Sequence, residues 1–334
     1  MKRVSLVQYR VLQEQENRAV AALIDNMPAR RIAQIKTVYE LADLTAKSGA
    51  SLAQTIRGLT LLEAVDVQTA EREGRLLPPI DHADPAHLYV TGTGLTHLGS
   101  ASSRDGMHRS AAKADGHTDS MQMFLMGVEG GKPGPGEIGV QPEWFYKGNG
   151  DSLLASGQPL VSPAFALDAG EEPEIAGIYL IAEDGSPLRL GYALANEFSD
   201  HVTERTNYLW LAHSKLRPAA LGPELLISEL PARVDGKVRI RRYSGILWEK
   251  PFHSGEANMS HSIENLEHHH FKYPLFRRPG DVHVHMFGTA TLSFSDGVMP
   301  ADGDVFEIEA RPFRHSLRNA LKKGAPETVR VSQL

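Results

Sequence analysis

The sequence predicts an α+β protein, with a small N-terminal domain ahead of a larger domain built mainly from short strands. Three observations support this class. The 334 residues are more than one hydrophobic core usually organises. The N-terminal part contains a long stretch with apolar residues at helical spacing. After Leu88, short apolar runs alternate instead with glycine, proline and aspartate turns.

The composition excludes several classes of function. The 41 acidic and 35 basic residues give a net charge of −6, which would repel the phosphate backbone of a nucleic acid. The absence of cysteine excludes disulfide scaffolds, thiolate metal sites and cysteine nucleophiles. No apolar run approaches the roughly 20 residues of a membrane-spanning helix, and no signal-peptide pattern is present. We therefore expect a cytoplasmic protein without nucleic-acid or membrane partners.

The N-terminal domain is predicted to combine strands and helices. Two β-rich runs, RVSLVQYRVL and RAVAALID, flank the polar turn QEQEN. From Ile35 to about Ala64 the spacing predicts a helix pair, interrupted at Ser48 and Gly49. The three prolines of EGRLLPPIDHADPAH mark a boundary, which divides a domain of residues 1–78 from one of residues 79–334.

The larger domain is predicted to be rich in β-structure. Its predicted strands are HLYVTG, EIAGIYLI, LRLGYALA, ELLISEL, KVRIRRY, DVHVHMFG, ATLSFS and DVFEIEA. Helical patterns occur in RDGMHRSAAKA, VTERTNYLWLAHSKL and SIENLEHHHFKYPLF. The segment GVEGGKPGPGEIG is predicted to be a loop near a site.

The first stretch with candidate chemistry is EEPEIAG. Glu172 and Glu174 lie two residues apart at the start of a strand, so their carboxylates point to the same side. A solvated acidic turn would explain this pair. A Mg²⁺ or Ca²⁺ ion that relieves the repulsion between buried carboxylates would explain it as well, and the apolar run that follows favours burial. Both interpretations stay open on these residues alone.

The second stretch joins the apolar strand GYALAN to a polar turn. Glu197 at the end of this strand is placed to be a third oxygen ligand, and Ser199 or Asp200 is expected to cap the following helix. Further on, Lys215 precedes the turn RPAALGP. Its ammonium could bind a carboxylate, or its amine could act as a base if desolvated; a surface lysine is the alternative.

Histidine-rich and glycine-rich segments are given structural roles. His268 to His270 and the pair His283 and His285 lack the spacing of a zinc site, so we expect them to hydrogen-bond within the domain or line a site wall. TGTGLTHLG lacks the G-x-G-x-x-G spacing and a P-loop lysine, so it predicts a tight turn instead of a nucleotide site. The absence of G-x-S-x-G removes support for a serine hydrolase.

Five motifs together resemble one known family. EEPEIAG resembles an E-x-E-L-A strand, GYALANEFSDH a G-Y-x-x-x-N-D turn, and HSKLRPAALGP a K-x-F-D-x-x-x-P-L-G-P segment. PEWFYKG is similar to P-x-x-F-x-K, and RRPGDVHVHMFGTA to L-x-P-G-D-x-I-x-T-G-T-P. These are motifs of the fumarylacetoacetate hydrolase superfamily, and they keep the family's order from about Leu88 onward.

The resemblance implies a mixed β-roll catalytic domain behind a small N-terminal α/β domain, a homodimer, and a divalent metal ion. It implies Mg²⁺, with Mn²⁺ as an alternative, held by three carboxylates. The residues carried over from the family are Glu172, Glu174 and Glu197 as metal ligands, Lys215 as a catalytic residue, and Lys147, Gly288 and Thr289 as substrate-binding residues.

Departures from the family pattern narrow the expected reaction. Members that hydrolyse carbon–carbon bonds commonly carry R-N-Y-x-x-H-x-x-E, where this chain reads GTGLTHLGSASSRD without the His–Glu pair. The segments GVQPEWFYKG, NEFSDHVTER and SGEANMSH resemble the sugar-acid branch that dehydrates 2-keto-3-deoxy pentonates. We expect a dehydratase in which His97, Ser100 or His261 protonates the leaving hydroxyl. The alternatives are a hydrolase of 2,4-diketo acids that releases pyruvate, and a non-catalytic sugar-acid-binding protein.

Overall fold

Two β-sheets organise the chain in the computed structural model, which describes residues 3–12, 18–98 and 118–334. The strands are β1 Val4–Arg10, β2 Arg18–Ile24, β3 Arg30–Ile32, β4 Leu61–Ala64, β5 Leu88–Gly92, β6 Phe145–Asn149, β7 Leu153–Ala155, β8 Leu160–Ser162, β9 Pro173–Ile181, β10 Pro187–Asn196, β11 Ala219–Leu221, β12 Leu225–Leu226, β13 Val234–Arg242, β14 Gly245–Ser254, β15 Val282–Met286, β16 Val305–Ala310 and β17 Leu317–Lys323. The α-helices are α1 Val38–Ser48, α2 Leu52–Gly58, α3 Val67–Arg72, α4 Asp119–Gly130, α5 His201–Thr206, α6 Leu211–Lys215 and α7 Ile263–Phe271. Single 3₁₀ turns cover Pro85–His87, Gly150–Ser152, Tyr208–Trp210, Glu256–Asn258, Pro274–Phe276 and Phe294–Asp296.

The N-terminal segment follows its sequence pattern closely. Strands β1 and β2 form the predicted antiparallel pair, and helices α1 and α2 form the predicted helix pair. The side chain of Thr37 accepts a hydrogen bond from the amide of Glu40 at the start of α1, and α1 ends at Gly49 with φ of 69°. This left-handed residue is the predicted interruption between the helices.

The helical prediction up to Ala64 is wrong in its last residues, which form β4. The edge of β3 decides this outcome, because Ala33 donates its amide to the carbonyl of Thr60 and Val65 donates to that of Ala29. The guanidinium of Arg30 also donates to the carbonyl of Leu62 at 2.7 Å. Pairing with a neighbouring strand therefore overrides a helical pattern that is strong in isolation.

The larger sheet joins the N-terminal strands β1 to β4 to strands from residue 88 onward. It is 12-stranded and runs β4-β3-β2-β1-β12-β10-β9-β15-β5-β6, with β11 and β7 beside β10. Strand β1 pairs directly with β12, where Ser5 lies opposite Leu226. Buried residues on both sides of residue 78, among them Leu41 and Ile178, belong to one core cluster. The division into two domains at this residue stays a prediction.

A second sheet packs over part of the first. It is 5-stranded in the order β14-β13-β16-β17-β8. Between the sheets lies a core cluster that includes Phe198, Phe252, Phe287 and Phe306, all nearly or fully buried. Phe198 directly follows the end of β10 and Phe287 directly follows β15, so this core fixes the ends of two strands of the first sheet.

Several predictions in the larger domain need correction. ATLSFS contains no strand; it leads into the 3₁₀ turn Phe294–Asp296, because Ser293 is bonded through its amide and its hydroxyl to Glu171. VTERTNYLWLAHSKL is not one helix but α5, a 3₁₀ turn and α6. Asn207 separates α5 from that turn with an extended φ of −157° and accepts a hydrogen bond from the amide of Leu209.

Other predicted elements begin or end at different residues in the structure. The loop predicted in GVEGGKPGPGEIG begins only at Gly131, since its first residues complete the unpredicted helix α4. ELLISEL is a strand only at Leu225 and Leu226. The predicted turn QEQEN, the predicted helix RDGMHRSAAKA and the candidate residue Ser100 lie outside the described residues. Within the described ranges, no helix combines the length and the apolar character that crossing a membrane requires.

Three buried histidines form a hydrogen-bonded cluster, as the sequence predicted for them. The indole of Trp144 donates to Nδ1 of His270 at 3.1 Å, so Nε2 of His270 carries a proton and donates to Nδ1 of His283 at 3.0 Å. His285 stacks on His270 with ring centroids 4.3 Å apart and shares a hydrogen bond with Thr91. Burial lowers the pKa of His283 and of His285 to about 3 each, so both rings are neutral at physiological pH.

This cluster predicts a loss of stability in acid. Because burial places the folded-state pKa values of His283 and His285 below the ordinary value of 6.5, their contribution is complete above pH 6.5 and is lost as the pH falls toward 3. Each histidine adds up to about 1.4 kcal/mol per pH unit to the slope of the free energy of unfolding. Urea denaturation between pH 7 and pH 4.5 should show a shallower slope for His285→Asn. An unchanged slope would contradict the prediction, and His253→Asn, at an exposed side chain of β14, is the control.

Candidate metal centre

The paired ends of β9 and β10 bring three glutamates together. In the antiparallel register Glu174 lies opposite Ala195, and the amide of Glu197 donates to the carbonyl of Glu172 at 3.0 Å. The carboxylates of Glu172, Glu174 and Glu197 each offer an oxygen, and these oxygens lie within 4.8 Å of one another. The structure thus assembles the predicted ligand set, and it does so through strand pairing.

All three carboxylates are removed from solvent. Glu174 and Glu197 are 0% exposed and Glu172 is 8% exposed. Burying one unpaired carboxylate costs several kcal/mol, and three together repel one another, so the arrangement requires positive charge close by. These exposures exclude the solvated acidic turn that the sequence left open.

Two buried lysines supply part of that charge. Nζ of Lys215 lies 2.5 Å from a carboxylate oxygen of Glu172 and 2.5 Å from one of Glu197. Nζ of Lys147 lies 2.5 Å from the other oxygen of Glu197 and donates to the carbonyls of Phe198 and Lys215. Lys215 is therefore not a surface lysine. Burial alone would lower its pKa, but the charges of Glu172 and Glu197 outweigh burial and raise it above the usual range.

Of the three carboxylates, Glu174 has the fewest hydrogen-bond donors and positive charges beside it. Its Oε2 accepts a hydrogen bond from the amide of Gly288 at 2.7 Å, whereas its Oε1 has no hydrogen-bond partner among the described residues. Burial, together with the charges of Glu197 and Glu172, raises its pKa well above the ordinary value. For Glu172 burial acts in the same direction, but Lys215 and His201 outweigh it and hold the pKa well below that value.

The sequence did not identify His201, which follows the predicted cap. Nε2 of His201 lies 3.1 Å from Oε1 of Glu172, and Nδ1 lies 3.1 Å from a carboxylate oxygen of Asp168. Both ring nitrogens face carboxylates, so both donate and the ring is an imidazolium. Burial would lower the pKa of His201, but its bonds to Asp168 and Glu172 raise it to about 10. Gly170 leaves room for the ring, since a Cβ there would lie 2.3 Å from Nδ1.

The segment after β15 closes one side of the centre. Gly288 has φ of 89°, and a Cβ at this position would lie 2.4 Å from Oγ1 of Thr96, so a side chain is excluded by both backbone and space. Its amide reaches Glu174, which brings Gly288 next to the centre; its role in substrate binding stays a prediction. Thr289 follows at intermediate burial, and its hydroxyl accepts a hydrogen bond from the amide of Thr291.

The predicted acids lie in different surroundings. His97 is buried beside Gly288, shares a hydrogen bond with Thr96 through Nδ1, and shares another with Ser254 through Nε2 at 3.0 Å. His261 lies between α4 and α7, where its Nδ1 lies 3.1 Å from Nδ2 of the Asn265 side chain. Burial lowers the pKa of His97 to about 3 and that of His261 to about 4, so both are neutral. Their catalytic role stays a prediction.

Comparison with solved structures confirms the predicted fold, an α+β arrangement of the type that the resemblance implied. One match is "2-keto-3-deoxy-D-arabinonate dehydratase apo form", with a TM-score of 0.71, 19% identity, and coverage of 96% of this chain and 100% of that chain. The same enzyme "complexed with magnesium and 2,5-dioxopentanoate" gives a TM-score of 0.70 at 19% identity, with the same coverage. A 2-hydroxyhepta-2,4-diene-1,7-dioate isomerase from Mycobacterium marinum gives 0.59 at 14% identity, covering 97% of this chain and 100% of that one. No protein-family model and no curated protein sequence matches the chain.

Proposed function

We propose that this protein is a Mg²⁺-dependent dehydratase that converts a 2-keto-3-deoxy sugar acid, a pentonate, to 2,5-dioxopentanoate. The observation that carries the proposal is the buried group of Glu172, Glu174 and Glu197 with Lys215 bridging two of its members. A similarly folded enzyme that dehydrates such an acid has been solved with magnesium and this product, which supports the reaction class. The homodimer and the cytoplasmic location expected from the sequence belong to the same proposal.

The residues present fit a hard divalent ion. Oxygen donors of three carboxylates are the ligands that Mg²⁺ prefers, and the unpartnered Oε1 of Glu174 is a buried acceptor that a cation would satisfy. Mn²⁺ accepts the same donor set. When bound, the ion would supply Lewis acidity toward the C1 carboxylate and C2 carbonyl of a 2-keto acid, which makes the C3 proton more acidic.

The protein's own groups would bind the acid and move its protons. Lys215 reaches into the carboxylate group and is assigned the C3 proton. Beside the free carboxylates of Glu172 and Glu197 it is an ammonium, and a cation held by these carboxylates would lower its pKa toward the amine form that takes the proton. The C4 hydroxyl then leaves as water with a proton from the acid, for which His97, Ser100 and His261 are the candidates, and a C3=C4 double bond forms. Loss of a C5 proton and return of a proton to C3 gives the C4=C5 enol, which ketonises to the C5 aldehyde of the product by protonation at C4. The amide segment at Gly288 and Thr289 is assigned to the substrate's anionic end. Lys147, assigned to substrate binding by the resemblance, also holds Glu197 and the backbone carbonyls of Phe198 and Lys215 in place.

One assay tests the class and the substrate together. Mg²⁺-loaded protein is incubated with the stereoisomeric 2-keto-3-deoxy pentonates and hexonates, and the products are identified by mass spectrometry. The proposal expects 2,5-dioxopentanoate from a pentonate, and no turnover after treatment with EDTA. Release of pyruvate from a 2,4-diketo acid would establish the hydrolase instead. Binding of the acids without turnover would establish a sugar-acid-binding protein.

The contact between His201 and Glu172 predicts a measurable effect on metal affinity. His201 fixes one oxygen of Glu172, while Asp168 on its far side balances its charge, so its influence is mainly on orientation. Loss of such a supporting contact typically weakens metal binding about 10–100-fold. We expect this increase in the dissociation constant of Mg²⁺ for His201→Gln, measured by calorimetry. An unchanged constant with lowered thermal stability would make His201 purely structural; His253→Gln, in the exposed His253–Asp235 pair, is the control.

A further inference from the structure

The segment from Gly288 to Ser293 is attached at both ends to residues 171–174, which include the candidate metal ligands Glu172 and Glu174. At its start the amide of Gly288 donates to Glu174 at 2.7 Å. At its end Ser293 contacts Glu171, the residue immediately before Glu172, through two hydrogen bonds. Thr289 lies between these attachments. Glu174 therefore fixes the start of this segment and Glu171 fixes its end. The segment between them carries the candidate substrate-binding residues.

The contact between Glu171 and Ser293 is specific in its geometry. Oε1 of Glu171 accepts from the amide of Ser293 at 2.9 Å, and Oε2 accepts from its hydroxyl at 2.6 Å. Both residues are 0% exposed. Ser293 stands at the cap position of the following 3₁₀ turn, yet its hydroxyl makes no capping bond there. Its polar groups serve the contact with Glu171, which we call the Glu171–Ser293 clasp.

The strand side of the clasp is itself held in place. The amide of Gly170 donates to the carbonyl of Ser199 and the amide of Ser199 donates back, both at 3.0 Å. The amide of Glu197 donates to Glu172 in the same ladder. The backbone on both sides of Glu171 is thus hydrogen-bonded to residues 197–199, next to the candidate ligand Glu197. If Ser293 moved away from Glu171, it would also move relative to the candidate metal centre.

We propose that Glu171 is a positioning residue that fixes the Gly288–Ser293 segment, and with it Thr289, for binding of the substrate's carboxylate end. It acts through Ser293 and does not ligate the metal ion. This role needs two hydrogen-bond acceptor or donor positions at the end of the side chain, not a negative charge. The inference rests on the proposed function for the identity of the substrate, but the attachment itself can be measured without turnover.

Three variants separate geometry from charge. Glu171→Gln keeps both bonds, because its amide oxygen accepts from the amide of Ser293 and its NH₂ group donates to the hydroxyl. Glu171→Ala breaks both bonds of the clasp, whereas Ser293→Ala breaks the bond from the hydroxyl and keeps the one from the backbone amide. For Glu171→Ala we expect KM for the 2-keto-3-deoxy acid to rise about 10-fold or more, since two buried hydrogen bonds no longer hold the segment, and for Ser293→Ala we expect a smaller rise. The expected dissociation constant of Mg²⁺ is unchanged, and Glu171→Gln should resemble the wild type in both quantities.

Hydrogen exchange followed by mass spectrometry keeps the test independent of activity. Amides of residues 288–293 should exchange faster in Glu171→Ala and Ser293→Ala than in the wild type or Glu171→Gln. Glu224→Ala is a matched control, because this buried carboxylate also accepts two backbone amides, from Arg314 and His315, in another part of the fold. It is expected to lower stability without changing KM or the exchange of 288–293.

The possible outcomes are distinct. If Glu171→Gln is as impaired as Glu171→Ala, the negative charge itself is used and the inference is overturned. Loss of Mg²⁺ binding in Glu171→Gln would place Glu171 in the metal centre, which also overturns it. Should Glu171→Ala fail to fold, Ser293→Ala still decides between the alternatives. If no keto acid is turned over by the wild type, the proposed function fails, while the exchange data continue to test the clasp.

Discussion

Replacing Glu174 with glutamine is expected to abolish Mg²⁺ binding and turnover while leaving the metal-free protein at least as stable as the wild type. Glu174 is fully buried, and its Oε1 has no partner among the residues described. The substitution removes one of three mutually repelling carboxylates and keeps the side-chain oxygen that accepts from Gly288. If the variant loses Mg²⁺ binding but keeps its stability, the Glu174 carboxylate is needed for the ion and not for the fold.

Thermal and chemical unfolding with and without Mg²⁺ measure this directly. At a Mg²⁺ concentration about 100 times the dissociation constant, binding should stabilise the wild type by about 2.7 kcal/mol. The increment should vanish in Glu174→Gln, and calorimetry should show at least a 100-fold weaker affinity. Glu224→Gln, at a buried glutamate outside the centre, is the control and should keep the full increment. Equal stabilisation of Glu174→Gln and wild type would sink the metal assignment, as would full activity of EDTA-treated protein.

Replacing Lys215 with methionine is expected to stop the reaction without weakening Mg²⁺ binding. Lys215 contacts Glu172 and Glu197 at 2.5 Å each, so its ammonium competes with a cation for the same oxygens. Removing a proton-transfer group typically costs 10²- to 10⁴-fold in rate, and we expect a loss in about that range. In the absence of metal the variant leaves two buried carboxylates short of a partner, which costs about 3–5 kcal/mol of stability.

Added Mg²⁺ should therefore stabilise Lys215→Met more than it stabilises the wild type, with an equal or smaller dissociation constant. Lys147→Met is the informative comparison, because Lys147 also donates to two backbone carbonyls and its loss should impair the fold with or without metal. Lys250→Met, at an exposed lysine paired with Asp296, should change nothing. Parallel loss of Mg²⁺ affinity and activity in Lys215→Met would assign Lys215 a structural role.

The carboxylates of the site were predictable because their placement is local. Two-residue spacing at a strand start puts Glu172 and Glu174 on one side, and a strand end carries Glu197. The residues that bind these carboxylates could not be predicted from local spacing. Asp168 precedes His201 by 33 residues, and nothing in the pattern around either residue indicates that they meet. The signal that was available is the unusual run of polar residues that continues past the helix cap to His201.

The fold shows the same division between local and long-range information. Apolar runs of strand length predicted β9 and β10, and helical spacing predicted α1, because each depends on neighbouring residues. ATLSFS was predicted to be a strand from its composition and length, but a buried carboxylate 122 residues earlier binds its serine and turns the chain. Leu61–Ala64 became a strand because β3 offered it an edge. In both cases a distant partner decided between local structures of similar stability.

The pairing of β1 with β12 has a consequence for how the protein is made. Ser5 and Leu226 are neighbours in the sheet, but during synthesis at about 5–20 residues per second the second emerges roughly 10–40 s after the first. Throughout that interval the β1–β2 hairpin is on the nascent chain with one backbone edge uncovered. The apolar N-terminal strands would then depend on chaperones or on fast elongation to avoid pairing with another chain. The finished sheet would be completed only after more than half of the polypeptide has left the ribosome.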